Sequence, residues 1–365
     1  MLSPFPKPWR TGQHCRYLAL LAGLLYAIGA HTESAHPLPA ASLTDVSGLQ
    51  VGSYTLPSGT TGCTVILVAG EGAPGGVAQR GGAPGTRETD ALHPLNLVDK
   101  VNAIVLSGGS AFGLDSASGT VRWLKEQKRG WDVGIARVPI VPAAVLFDLP
   151  VGDNARIQPD VECGYKAAQT ASTAPVQQGS VGAGAGATVG KLGQPMRGGL
   201  GSFAYRMPNG LVVAALVATN ALGDIVDPDS GRLLAGARDA EGKLQDARQL
   251  LRDGRLFAQT MPRMGENTTI GVVATNARLN KVEVNRLALM ADDGYGRAIY
   301  PVHTMYDGDT VFALATGHWE GKADMSLIGA LAADAMAQAL KQAVLQASSL
   351  PGIPAVKDLL PERKP

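Results

Sequence analysis

The chain has 365 residues, 45% hydrophobic and 17% charged, enough to bury one large core or two modest ones. Its net charge is +1, and setting aside Lys7, Arg10 and Arg16 in the acid-free first 30 residues leaves −2, so the body carries no electrostatic footprint for nucleic acid or an anionic membrane. No CxxC or HExxH spacing occurs, so no metal and no cofactor is expected.

In chain order, the three cations precede an apolar run, Tyr17–Ala30 (YLALLAGLLYAIGA), too short for a comfortable membrane span. Residues 1–30 therefore read as a secretory signal, and the protein is expected to be periplasmic or secreted, with no membrane association once the signal is removed. Cys15 would leave with it. An oxidising compartment permits a Cys63–Cys163 disulfide, but both lie in apolar, Gly/Ala-rich surroundings, and two buried free thiols are the expectation.

Gln50–Leu67 reads as short strands around a turn at Pro57-Ser58-Gly59, and 70–89 as a Gly/Pro/Arg-rich loop. Asn102–Leu106 is an apolar strand running into Ser107-Gly108-Gly109-Ser110, followed by a helix with Leu114, Ala117, Val121 and Leu124 on one face. Val138–Leu149 is extended but interrupted by Pro139 and Pro142, and Asp160 caps a helix through Ala171. After a glycine-rich stretch at 179–202, Leu211–Thr219 is a buried strand ending at Asn220. Residues 236–266 form a polar surface connector with a short helical pattern around Leu244–Leu251. Thr268–Asn276 is again a strand, and Asn280 with Glu283 is a capping box for the next helix. Asp307-Gly308-Asp309 is a turn, Thr310–Thr316 a strand, and Ala323–Ala347 a long Ala-rich helix closed by Pro351. Alternating strands and helices without a repeat give an α/β or α+β class, with one interleaved core across the connector.

Several motifs invite stronger readings than their context supports. Gly182-Ala-Gly184-Ala-Gly186 lacks the leading strand and downstream acid of a dinucleotide site, and Leu192 after Gly190-Lys191 stands where a P-loop needs Ser or Thr. Ser110 resembles a nucleophile elbow, yet the closing glycine falls one residue late, and a helix N-cap is a sufficient role. The glycines before it, Gly109 included, could still offer N–H groups to an oxyanion. Locally, the junction Gly265-Glu266-Asn267-Thr268-Thr269 is no more than a loop entering a β-branched strand.

Taken together, ordered motifs carry a resemblance. They include Gly62-Cys63-Thr64-Val65, GGAPGTRETD (81–90), LSGGSAFGL (106–114), VPIVPAAVLFDL (138–149), GAGAGATVGK (182–191), VATNALGD (217–224), NTTIGVVATN (267–276) and DGDTVFALATG (307–317). From Leu43 to Ala347 the chain resembles the P1 peptidase family of L-aminopeptidase/D-esterases, β-peptidyl aminopeptidases and endo-type nylon-oligomer hydrolases. That resemblance implies a four-layer αββα sandwich, like that of N-terminal-nucleophile hydrolases, and self-cleavage before Thr268. The products would be a large chain, 31–267, and a small chain, 268–365, assembled into a tetramer of cleaved units. The substrate would be a small peptide or linear aminoacyl oligomer.

The chemistry suits the residue types. A hydroxyl needs a base, and a freed Thr268 α-amine, titrating near 7.7–8.0 in the unperturbed case, supplies one on the same residue. Thr269 is the neighbouring hydroxyl. The resemblance implies that Asn220 donates to the oxyanion, that Lys191 anchors the Thr hydroxyl, and that Asp307 and Asp309 hold the α-ammonium. Where aminopeptidase members carry an oxyanion Tyr, this chain has Phe147, which cannot donate; with Asp307 and Asp309 this tilts the reading toward the nylon-oligomer branch. The alternatives are an acyltransferase of the ornithine acetyltransferase type and a non-catalytic exported binding or shell protein that keeps the fold.

Overall fold

The structure, a computed structural model, describes residues 41–255 and 267–359. The expected signal at 1–30 and the end of the connector at 256–266 lie outside the described residues. Two stacked sheets carry the fold. The first contains β1 (Leu49–Thr55), β2 (Gly62–Val68), β4 (Ala103–Ser107) and β5 (Ala143–Val145), in that order, with Thr86–Arg87 at its edge. The second runs β6 (Gly199–Arg206), β7 (Val212–Asn220), β8 (Thr268–Thr275), β9 (Thr310–Ala315) and β3 (Ala73–Gln79), with Lys100–Val101 at its edge. Helices α1 (Asp115–Glu126) and α2 (Val161–Gln169) cover the first sheet. Helices α4 (Lys281–Ala298) and α5 (Met325–Gln346) cover the second, and α3 (Ala247–Arg252) belongs to the connector.

The period-two alternation of the strands builds the layers. In β7, Val213, Ala215 and Val217 join the core under α4 and α5, while Ala214, Leu216 and Ala218 face the first sheet. In β2, Cys63, Val65 and Leu67 pack against α1 and α2, whereas Ile66 and Val68 enter the middle core with Ile104 and Leu106. Three hydrophobic cores between four layers give an αββα sandwich, as the motifs imply. Strands on both sides of the connector are direct partners, Asn220 opposite Thr268 and Val213 opposite Thr275. Among the described residues no helix is long and apolar enough to cross a membrane.

Three expectations need correction. The segment read as a loop at 70–89 contains β3, paired with β9 inside the second sheet. Its Gly76 lets the backbone of α4 lie directly on the strand, since a Cβ there would sit 2.7 Å from Val284 carbonyl and Asn285 amide atoms. Cys63 and Cys163 are not free thiols: they are joined, with 2.08 Å between sulfurs and 6.1 Å between Cα atoms. β2 and α2 face one another across one core layer, which sequence separation concealed. Ser110 does not cap a helix with its side chain; it lies inside a 3-10 turn after Gly109, both with positive φ.

Candidate active site

β7 and β8 are adjacent antiparallel strands, so the last residue of one lies against the first residue of the other, and that pair is Asn220 and Thr268. Both are buried, as are Asp307 and Asp309, none more than 3% exposed. Any charge developed here is shielded from bulk water, where oriented dipoles act most strongly.

The Thr268 hydroxyl donates to the carbonyl oxygen of Asn267, the residue before it. The same oxygen accepts the Gly308 amide at 2.8 Å. Strand alternation turns Thr269 to the opposite face, and its amide is held by Asp309 Oδ1 at 2.8 Å. Asn220 is fixed at both ends: Oδ1 accepts the Thr188 amide at 3.0 Å and Lys191 Nζ at 2.9 Å, and Nδ2 donates to Phe147 O at 2.9 Å. An amide nitrogen carries two hydrogens, so a second donor remains beyond the Phe147 bond. Lys191 also reaches the Asn220 carbonyl at 3.3 Å.

Asp307 accepts the amides of Leu222 (3.3 Å) and Thr304 (3.1 Å) and the Thr304 hydroxyl (2.5 Å). Burial, and then the neighbouring Asp309, push its carboxyl up to about 6. Asp309 Oδ2 meets the amide of His303 at 3.2 Å and its Nδ1 at 3.0 Å. A cavity of about 170 Å³ opens beside this group, with Phe147, Pro150, Val151, Pro195 and Ile353 as apolar walls and Thr188 and Lys191 at its polar end. Two larger cavities, about 280 and 290 Å³, are lined by 51–53 with 170–177 and by 233–255, away from these residues.

Thr268, Asn220, Lys191, Asp307 and Asp309 are thus brought together, with Asn267 and the Phe147 backbone among them. Gly109 and Ser110 are used differently. The Gly109 amide donates to Asp148 Oδ1 at 2.7 Å and that of Ser110 to Leu146 O at 3.0 Å, so neither is open to an oxyanion. Asp148 explains two of the glycine motifs: a Cβ at Gly108 or at Gly186 would stand 2.3 Å from its Oδ2. Burial raises the Asp148 carboxyl, while Lys191 is among the groups that lower it. Sequence reasoning missed Asp148, Gly308, His303 and Asp292. One signal for Asp292 was available: in α4 it follows Val284, Leu287, Ala288 and Ala291 on the buried face, where an acid is out of place without a partner.

Comparison with known proteins gives the family. The model of peptidase family S58 matches residues 41–357. The chain belongs to family S58. It is therefore a hydrolase of the aminopeptidase/amidohydrolase kind, as the motif resemblance implies. An uncharacterised aminopeptidase of Mycobacterium leprae (strain TN) is 43% identical to this S58 member over 352 residues, covering 88% of this chain and 95% of its own. A 6-aminohexanoate-oligomer endohydrolase of Paenarthrobacter ureafaciens is 31% identical over 313 residues, 82% and 84% of the two chains. Among solved structures, a Burkholderia sp. beta-aminopeptidase matches with a TM-score of 0.62 at 21% identity, covering 85% of this chain and 88% of that one. The L-aminopeptidase D-Ala-esterase/amidase of Ochrobactrum anthropi, described as a variant of the Ntn hydrolase fold, also has a TM-score of 0.62 at 21% identity, with 86% and 89% covered. These two likenesses establish the fold.

Proposed function

We propose that this S58 peptidase cuts its own Asn267–Thr268 bond and then uses the freed Thr268 to hydrolyse amide bonds of small peptides or linear aminoacyl oligomers. One observation carries the reading: the Asn267 carbonyl oxygen is held by the Gly308 amide while the Thr268 hydroxyl lies against it. In the first reaction Thr268 Oγ attacks the Asn267 carbonyl carbon. The oxyanion draws on Gly308 N–H, the Thr268 nitrogen takes the proton as the C–N bond breaks, and water hydrolyses the resulting ester. The products are the Asn267 carboxylate and a free Thr268 amine.

In turnover that amine accepts the Oγ proton as Oγ attacks the substrate carbonyl, forming an acyl-enzyme that water releases. The second hydrogen of Asn220 Nδ2 is the oxyanion donor. Lys191, 2.9 Å from Asn220 Oδ1, pulls electron density toward that oxygen and makes the Nδ2 hydrogens better donors. Asp307 and Asp309 receive the ammonium form of the amine. The apolar cavity beside Lys191 suits an uncharged acyl chain, and the 31%-identical relative acts on 6-aminohexanoate oligomers by name, which supports the aminoacyl-oligomer side. The basic segment and apolar run before residue 31 support export.

Intact-mass measurement of the purified protein tests this. Two fragments are expected, the smaller beginning at Thr268, and Thr268→Ala should give one inactive chain. A small fragment beginning at Thr269, or cleavage persisting in Thr268→Ala, would refute the assignment.

A further inference from the structure

Behind Asp309 lies a polar chain that the proposed chemistry does not use. His303 sits between two carboxylates, its Nδ1 3.0 Å from Asp309 Oδ2 and its Nε2 3.0 Å from Asp292 Oδ2. Asp292 is wholly buried in α4, and the His303 side chain is only 20% exposed. A neutral imidazole carries one N–H and can donate to only one of the two; the imidazolium donates to both. The backbone is committed as well. His303 has φ of 54°, in the left-handed region that non-glycine residues enter at a cost, and this turns its own amide toward the same Asp309 oxygen, at 3.2 Å.

We infer that His303, held as an imidazolium between Asp292 and Asp309, is a positioning residue that fixes Asp309 under the nucleophile strand and offsets its charge there. This rests on the assignment of Thr268 as nucleophile. Asp309 turns one oxygen to His303 and the other to the Thr269 amide, so the imidazolium sets where the peptide following Thr268 lies.

The surrounding charges show why a cation is needed. Asp292 and Asp309 flank the ring, Asp307 lies next to Asp309, and the buried Tyr295 ring is centred 6.2 Å from the imidazole. The only other cation facing this group among the described ion pairs is Arg80, 3.5 Å from Asp292 Oδ2, half exposed and shared with Asp293. Burial by itself would lower the imidazole's proton affinity, but the adjacent carboxylates of Asp292 and Asp309 outweigh it and raise His303 to about 9. Across the neutral range Asp309 is therefore paired with a cation. A compensated acid holds an ammonium less tightly than a bare one, so the Thr268 amine loses its proton at a lower pH and is available as a base near neutrality.

The experiment compares the pH profile of kcat/KM for wild type and His303→Gln, with an aminoacyl p-nitroanilide as probe and intact mass as a check on processing. Gln keeps one donor and removes the charge. The acidic limb should move up by about one unit, giving roughly a tenfold loss below the limb and recovery at alkaline pH. A role in folding alone would lower the profile by a constant factor, and an unmoved limb would overturn the inference. Wild type that neither cleaves at Thr268 nor hydrolyses the probe would instead sink the nucleophile assignment. Should His303→Gln not fold, histidine NMR of wild type decides: one ring must stay protonated past pH 8, and rings that all titrate near 6.5 overturn the inference.

Discussion

Gly308 is the most economical place to test the self-cleavage geometry, because one methyl group perturbs it without removing a reacting atom. A Cβ at position 308 would stand 2.6 Å from Ala83 O and 2.8 Å from Thr268 Oγ1. The backbone of Gly308 does not have a positive φ, so alanine is conformationally allowed and the conflict is purely one of space. Relieving both contacts requires movements of about half an ångström, since such pairs normally approach to no less than about 3.2 Å. Ala83 is the stiffer side: its amide is bonded to Asp307 O at 2.9 Å, and a Cβ on neighbouring Gly81 would also meet Asp307 O, at 2.3 Å. The Thr268 hydroxyl must therefore give way, or the Gly308 amide must back away from the Asn267 oxygen it holds at 2.8 Å. A misplacement approaching 1 Å in a reacting group costs on the order of 100-fold in rate. Gly308→Ala is expected to accumulate as an uncut chain, maturing about 100 times more slowly in a gel or intact-mass time course. Gly296→Ala is the control, because nothing lies within 4 Å of a Cβ there and the residue is in helix α4. It should mature normally and gain up to about 1 kcal/mol. Maturation of Gly308→Ala at the wild-type rate would show that the Gly308 amide is not the oxyanion donor of the cut.

Two further outcomes follow from the same contacts. Asn220→Ala removes the proposed oxyanion donor and should lower kcat about 100–1000-fold. It also strands the Phe147 carbonyl and Thr188 amide, costing about 1–3 kcal/mol for each buried group in a thermal melt; a stability loss with near-normal kcat would make Asn220 purely structural. Because His303 is raised from 6.5 to about 9, its contribution is fully present below pH 6.5 and disappears as pH rises through 9. That amounts to up to about 3 kcal/mol, so wild type should lose thermal stability between pH 7 and 10 while His303→Gln changes little over that window, and equal slopes would contradict the ion pair.

The parts of the fold legible in the sequence are those set by local pattern. Val272-Val273-Ala274-Thr275 and Leu211–Thr219 announce buried strands, and Asn280 with Glu283 forms the capping box at the start of α4, Asn280 Oδ1 accepting the Glu283 amide at 3.0 Å. β3 was not legible, because Ala73-Pro74-Gly75-Gly76 carries turn residues for reasons of packing. Pro74 faces the short edge strand Lys100–Val101, where a missing amide costs little, and Gly76 admits the backbone of α4. Nor was the Cys63–Cys163 bond, which depends on α2 crossing over β2 across 100 residues of chain.

The site divides along the same line. Thr268 and Asn220 end strands that pattern alone can find, and antiparallel pairing in register places those ends together. Asp307 and Asp309 needed the family motif, since a local reading makes them only a turn. His303 and Asp292 had neither aid. His303 lies in irregular chain whose conformation, φ of 54°, no local propensity favours, and Asp292 is one acid in the apolar stripe of a helix. Each is costly alone: a buried carboxylate without a partner, and a histidine in a strained backbone. Only their meeting in space, with Asp309 as third member, makes both tolerable. Such a pair is specified by tertiary structure, and the place to look for one in a sequence is wherever a charged residue interrupts an otherwise buried face.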